Sequence, residues 1–183
     1  MLVLLDRDGV INEDLPHGVT HIHQFRLLAG ALEAMASLTR AGFRIAIVTN
    51  QSVIGKGLAS DADVRAIHQM LCEQAEASGA LIDRIYLCPD HPQQASFRRK
   101  PSPGMLLEAL SDFNAVPERT PMVGDALRDL QAAHAAGCPR WLVKTGKGAQ
   151  LLAQGLPAEL MPVMVADDLR AAARDIIQMF RSA

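Results

Sequence analysis

The sequence predicts an α/β fold: a single Rossmann-like domain of three α/β/α layers with a mainly parallel central sheet. Three observations lead there. Short apolar runs recur along the chain, each closed by a turn or polar cluster. The segments between them carry apolar residues at helical spacing. The 183 residues are 49% hydrophobic but only 4% aromatic, so Ala, Leu, Val and Ile dominate, the usual material of helices packed on a buried sheet. That length fits one domain, residues 1–183, with a core of its own.

The expected strands are Leu2 to Leu5, Ile45 to Val48, Ile85 to Cys88, Met122 to Val123 and Trp141 to Val143. The first helix is expected over Ala31 to Ala41, with Leu32, Met35 and Leu38 on one stripe and Gly42 as its stop. A second starts at Ser60, where Asp63 completes a weak capping box, and runs to Gly79 through Val64, Ile67 and Leu71. Pro103 opens a third, because its missing N–H is not needed in a first turn. Ala126 to Ala136, stopped by Gly137, and Asp168 to Phe180 complete the set. Two longer connections, Asn12 to Leu28 and Pro89 to Ser102, are candidate rim loops over a site.

Charge and cysteine usage narrow the partners. Eighteen Lys and Arg against 20 Asp and Glu leave a net charge of -2, which gives no polybasic footprint for nucleic acid or an anionic membrane. A small molecule is the expected partner, and the chain is expected to act as a monomer. The apolar start stops at Asp6, too soon for a signal peptide or a membrane span. Cys72, Cys88 and Cys138 are odd in number and widely spaced, which suits a reducing compartment. The cytoplasm is the expected location.

Ligands of open parallel sheets bind beyond the carboxyl ends of the strands, so the polar clusters there are the candidates for chemistry. The first strand delivers Asp6-Arg7-Asp8-Gly9, whose i, i+2 spacing points both carboxylates the same way. Two acids that close require a cation between them or a proton on one, which suits bound Mg2+ and a proton donor. The second strand ends in Thr49-Asn50-Gln51-Ser52, a set of donors for phosphate oxygens. Arg98-Arg99-Lys100-Pro101 sets three cations before a helix, one of which could neutralise a transferring phosphoryl group. The fourth strand ends in Val123-Gly124-Asp125, where Gly124 allows close approach and Asp125 offers another oxygen to a hard cation. Asp129 fits a metal role and a helical first turn equally well.

In this order the motifs resemble the haloacid dehalogenase superfamily of phosphatases. The stretches LDRDGVIN, VTNQS, CPDHP, RKPSPGM and VGDALRDLQAA are similar, within it, to the heptose 1,7-bisphosphate and histidinol-phosphate phosphatase families. The resemblance implies that Asp6 is a nucleophile forming an aspartyl-phosphate and that Asp8 handles the proton. It implies Mg2+ held by Asp6, Asp125 and the main-chain carbonyl of Asp8, with Thr49 and Lys100 on the phosphoryl oxygens. Arg7, Asp14, His17, Asn50, Gln51, Ser52 and Arg99 become the expected substrate contacts.

The implied substrate is D-glycero-D-manno-heptose 1,7-bisphosphate, in lipopolysaccharide sugar assembly. The alternatives are histidinol phosphate, another small phosphate ester, or a catalytically silent interaction module. Two departures from the pattern stand out. The zinc loop of the heptose phosphatases is incomplete, since Cys88 is kept, Asp90 stands for a histidine and Gln93 to Arg98 has no cysteine. Zinc is therefore not expected, as two ligands do not close a tetrahedral site. Val53 and Lys56 stand where relatives more often have Gly and Arg. No insertion is large enough for a cap domain, so an open site is expected.

Overall fold

The chain alternates strand and helix as its apolar runs predict, and the computed structural model describes residues 1–181 of it. Six strands form one sheet: β1 Leu2–Leu5, β2 Arg44–Asn50, β3 Ile82–Cys88, β4 Met122–Gly124, β5 Arg140–Val143 and β6 Met164–Ala166. Their order is β3-β2-β1-β4-β5-β6, and every pairing is parallel. The chain steps outward from β1 through β2 to β3, then returns to start again with β4 on the other side of β1. The order thus reverses between β1 and β4, and a crevice opens there at the carboxyl ends.

The sheet is covered on both faces because successive side chains of each strand leave in opposite directions. Val3 and Leu5 of β1 share one cluster with Ile45, Ile47 and Trp141. Over them lie α1 (Ala31–Arg40), α3 (Asp61–Ala77) and α7 (Leu169–Arg181), which contribute Met35, Leu38, Ile67, Leu71 and Ile176. Leu2 and Leu4 face the other way, toward Met105, Leu106 and Ala109 of α4 (Gly104–Asp112) and Ala132 and Ala133 of α5 (Leu127–Ala135). Two short helices complete the fold, α2 (Ser52–Gly55) and α6 (Gly148–Gln154). Among the described residues no cap domain is inserted, and no helix is long and apolar enough to cross a membrane.

The Ser60 capping box forms as expected, with Asp63 N–H donating to Ser60 Oγ at 3.1 Å and Ser60 N–H to Asp63 Oδ2 at 2.9 Å. Pro103 is the cap of α4 rather than its first residue. Three elements go beyond the sequence expectation: α2, α6 and β6. β6 is three residues on the sheet edge with only Ala166 buried, so it shows neither a buried run nor an alternation long enough to read. β3 likewise starts three residues early, at Ile82, because it is the opposite edge. The three cysteines are free, Cys88 and Cys138 buried and Cys72 half-buried.

Candidate active site

Asp6 follows β1 directly and Asp125 follows β4, so the reversal of strand order brings the two acids together. Asp6 N–H continues the ladder to the Val123 carbonyl at 2.9 Å, which fixes the backbone from which its carboxylate extends. Asp129, in the first turn of α5, joins them. Oxygens of Asp6, Asp125 and Asp129 all lie within 4.8 Å of one another, and all three residues are buried.

Lys100 closes the cluster. Its ammonium lies 2.9 Å from Asp6 Oδ1 and 2.7 Å from Asp129 Oδ1, and donates to the Val48 carbonyl at 2.7 Å. Burial lowers its pKa, but Asp129 and Asp6 outweigh burial and hold it above the usual lysine value. Asp6 Oδ1 also accepts from Arg7 N–H at 2.8 Å.

Lys100, even with the Arg128 charge nearby, does not offset burial and the mutual repulsion of three acids. Burial first, then the charge of Asp129, pushes Asp6 up to about 6. The same causes, with Asp6 added, push Asp125 up to about 7. Asp125 Oδ2 accepts from Lys147 N–H at 2.8 Å, while its buried Oδ1 has no hydrogen-bond partner. An orphaned buried carboxylate oxygen among converging acids fits a hard cation such as Mg2+, which prefers oxygen ligands. Asp6, Asp125 and Asp129 could hold it.

Asp125 is held by two glycines. A Cβ on Gly9 would lie 2.2 Å from Asp125 Oδ2, and one on Gly146 2.1 Å from the same atom. Both residues have positive φ, +84° and +56°, which L side chains rarely adopt.

Asp8 points elsewhere. Its carboxylate accepts from Arg7 Nη2 at 2.9 and 3.1 Å, Asn12 Nδ2 at 2.9 Å and Gln51 Nε2 at 2.7 Å. Burial raises its pKa, but the Arg7 charge and these bonds prevail and hold it below the usual carboxylate range. That leaves only its main-chain carbonyl for the metal role that the resemblance implies.

Arg7 corrects a sequence expectation. It was expected on the substrate, yet its side chain is fully buried, bonded to Asp8, to Gln51 Oε1 at 3.0 Å and to His68 Nε2 at 3.0 Å. It organises Asp8 from below. Gln51 spends its amide in the same network, donating also to Thr49 Oγ1 at 2.8 Å. Asn50 spends its own on the main chain of Lys100.

Above this floor opens a cavity of about 230 Å³. Asp8, Asp14, His17, Asn50, Gln51, Ser52 and Arg99 all line it, so the structure gathers these sequence-expected residues around one space. Thr49 and Lys100 are buried beside it. The lining also includes Arg128 and Lys147, which sequence reasoning missed, and Lys56, which it noted only as a departure. Lys147 Nζ pairs with Asp14 across the mouth. The only advance signals were a basic residue inside GDALRD and another between Gly146 and Gly148. A second cavity, about 220 Å³, sits at the opposite ends of the strands near Met1 and Phe113 and is lined by no acid.

The loop where zinc ligands are incomplete is shaped by its own hydrogen bonds. Asp90 accepts from Ser96 N–H at 2.7 Å and His91 Nδ1 from Gln93 N–H at 3.2 Å. Burial pushes the Cys88 thiol up, toward its neutral form. Among the described residues, no set of three metal-ligating side chains gathers there.

Comparison with known proteins agrees with this geometry. The model of a HAD-hydrolase-like family matches residues 97–172. A D-glycero-beta-D-manno-heptose-1,7-bisphosphate 7-phosphatase of Bordetella bronchiseptica is 40% identical over 97% of this chain and 98% of its own length. The Escherichia coli enzyme of that name is 40% identical over 79% of this chain and 80% of its own. The crystal structure of the B. bronchiseptica D,D-heptose 1,7-bisphosphate phosphatase, complexed with magnesium and phosphate, superposes with a TM-score of 0.91 at 40% identity. It covers 100% of this chain and 99% of that one. The phosphatase from Burkholderia thailandensis, 41% identical, gives 0.74 over 96% of this chain and 97% of its own. With its strand-end acids, buried lysine and whole-length match, the chain belongs to the heptose-bisphosphate phosphatase family of the HAD-like phosphatases.

Proposed function

We propose that this phosphatase removes the C7 phosphate of D-glycero-β-D-manno-heptose 1,7-bisphosphate, with Mg2+, through a phosphoryl group carried on Asp6. The observation that carries this reading is the meeting of Asp6, Asp125, Asp129 and Lys100 at the crevice between β1 and β4. The printed substrate of relatives 40% identical over nearly the whole chain supports the choice of sugar. A small phosphorylated substrate, without nucleic acid or membrane, fits the net charge of -2, and a cytoplasmic monomer is part of the same reading.

In this reading Asp6 attacks. Arg7 N–H and Lys100 hold its Oδ1, which leaves Oδ2 without a protein hydrogen bond and available to the phosphorus. Lys100 and the Thr49 hydroxyl then offer donors to the phosphoryl oxygens in a site prepared for their charge. Asp6 and Asp125, with the Asp8 carbonyl or Asp129, would hold Mg2+, which would supply positive charge to the acid cluster and the incoming phosphate.

Asp8 handles the proton. A phosphate dianion beside it raises its proton affinity, so it can protonate the leaving sugar oxygen. Once the sugar leaves, the donors from Arg7, Asn12 and Gln51 favour its ionised form, which activates the water that hydrolyses the aspartyl-phosphate. Asp14, His17, Ser52 and Arg99 face the sugar from the rim. Asn50 and Gln51 act by holding Lys100 and Asp8. The test is a panel of phosphorylated sugars and histidinol phosphate, ranked by kcat/KM in Mg2+. The heptose bisphosphate ranks first if this reading is right, and a higher rank for histidinol phosphate overturns it.

A further inference from the structure

The cavity is lined by four cations, and they differ in how they are engaged. Lys147 is paired with Asp14. Arg99 donates Nη1 to the Asp90 carbonyl at 3.0 Å. Lys56 is exposed on a flexible stem. Arg128 is half-buried and, among the described residues, makes no side-chain hydrogen bond, and its Nε is buried without a partner.

A buried N–H left unpaired costs free energy, so its persistence needs a reason. The field of Asp129, Asp6, Asp125 and Asp14 holds the guanidinium in place. A cation held among these acids would offset that field, leaving the charge of Arg128 to attract an anion. The guanidinium then presents a planar fork, matched to two oxygens of a phosphate. The phosphate being cleaved is already served by Lys100 on the buried floor, whereas Arg128 lines the cavity above it together with His17 and Ser52.

We propose that Arg128 is the specificity residue that grips the second phosphate of the substrate, the one that is not cleaved. The assignment rests on the sugar-bisphosphate reading above. It makes Arg128 a contributor to substrate affinity rather than to the chemical step.

The experiment compares the wild type with Arg128→Ala on the heptose bisphosphate and on p-nitrophenyl phosphate, which has no second anion. Alanine favours helix, so α5 is retained in the variant. The expected result is a KM for the bisphosphate raised about tenfold or more with kcat changed less than about twofold. The KM for p-nitrophenyl phosphate rises far less than that for the bisphosphate, and Arg128→Lys recovers part of the bisphosphate loss by charge without the fork. An equal loss on both substrates, or none on the bisphosphate, overturns the role of Arg128 alone. A wild type that hydrolyses p-nitrophenyl phosphate but not the bisphosphate overturns the substrate reading, and the role of Arg128 with it.

Discussion

Asn50 clasps the main chain of Lys100 from both sides: its Nδ2 donates to the Lys100 carbonyl at 2.9 Å, and its Oδ1 accepts from the Lys100 N–H at 3.1 Å. The clasp ties the long loop after β3 to the end of β2, and so sets the ammonium between Asp6 and Asp129. Asn50→Ala removes both bonds without touching an acid. Its kcat falls on the order of 100-fold, since misplacing a charge by about 1 Å is worth that much, while KM changes little. Steady-state kinetics on any accepted phosphate ester measures the split.

Gly146 leaves no room for a side chain beside Asp125, so Gly146→Ala must displace the carboxylate or the loop. The Mg2+ concentration giving half-maximal activity rises about tenfold or more, within the range seen when groups supporting a metal ligand are disturbed. Gly57→Ala is the control. Gly57 also has positive φ, but a Cβ there meets nothing within 4 Å, so stability falls without a change in Mg2+ requirement.

The unbalanced acids make stability depend on metal and pH together. Asp6 and Asp125 have folded pKa values of about 6 and about 7, above their ordinary 3.8. For a raised acid, stability is fully present below the unfolded pKa and is lost as pH rises through the folded one. The metal-free protein therefore weakens between about pH 4 and 7, and the cation removes the cause. Thermal midpoints in Mg2+ and in chelator diverge more at about pH 8 than at about pH 5, because the cation competes with protons for the same oxygens. Equal increments at both pH values contradict the assignment of these acids to the cation.

His68 works in the opposite sense. An arginine only donates, so Nε2 of His68 must accept from Arg7 Nη1, and the ring is neutral. Burial, then the Arg7 charge, pulls its pKa down to about 4 from 6.5. Acid favours the unfolded chain between these values, so stability is full above about pH 6.5 and declines as pH falls toward about 4. Urea unfolding of the wild type minus that of His68→Gln isolates this contribution. The difference changes by about 2 to 3 kcal/mol across the window.

The acids and the lysine were legible in the sequence because each stands within a short motif beside a strand end, and topology gathers strand ends. The alternation expected to align Asp6 with Asp8 does not extend past β1, which ends at Leu5, so Asp8 turns away from Asp6 and Arg7 folds back onto it inside the protein. Asn50 and Gln51 are amides that suit a substrate or a scaffold equally, and only tertiary contacts distinguish the two. Arg128 and Lys147 could not be assigned, since their place depends on how α5 and the loop after β5 pack over Asp125. β6 and α6 were missed because three and seven residues are too few to show a period.

The central claim is that Asp6 carries the phosphoryl group. Asp8→Asn removes the group that activates water, while an aryl phosphate has a leaving group that needs little protonation. The variant mixed with p-nitrophenyl phosphate in Mg2+, quenched in acid and read by peptide mass spectrometry accumulates one phosphoryl group on Asp6. A phosphoryl group on another residue, or none on Asp6 while nitrophenol is released in a first-turnover burst, contradicts the account.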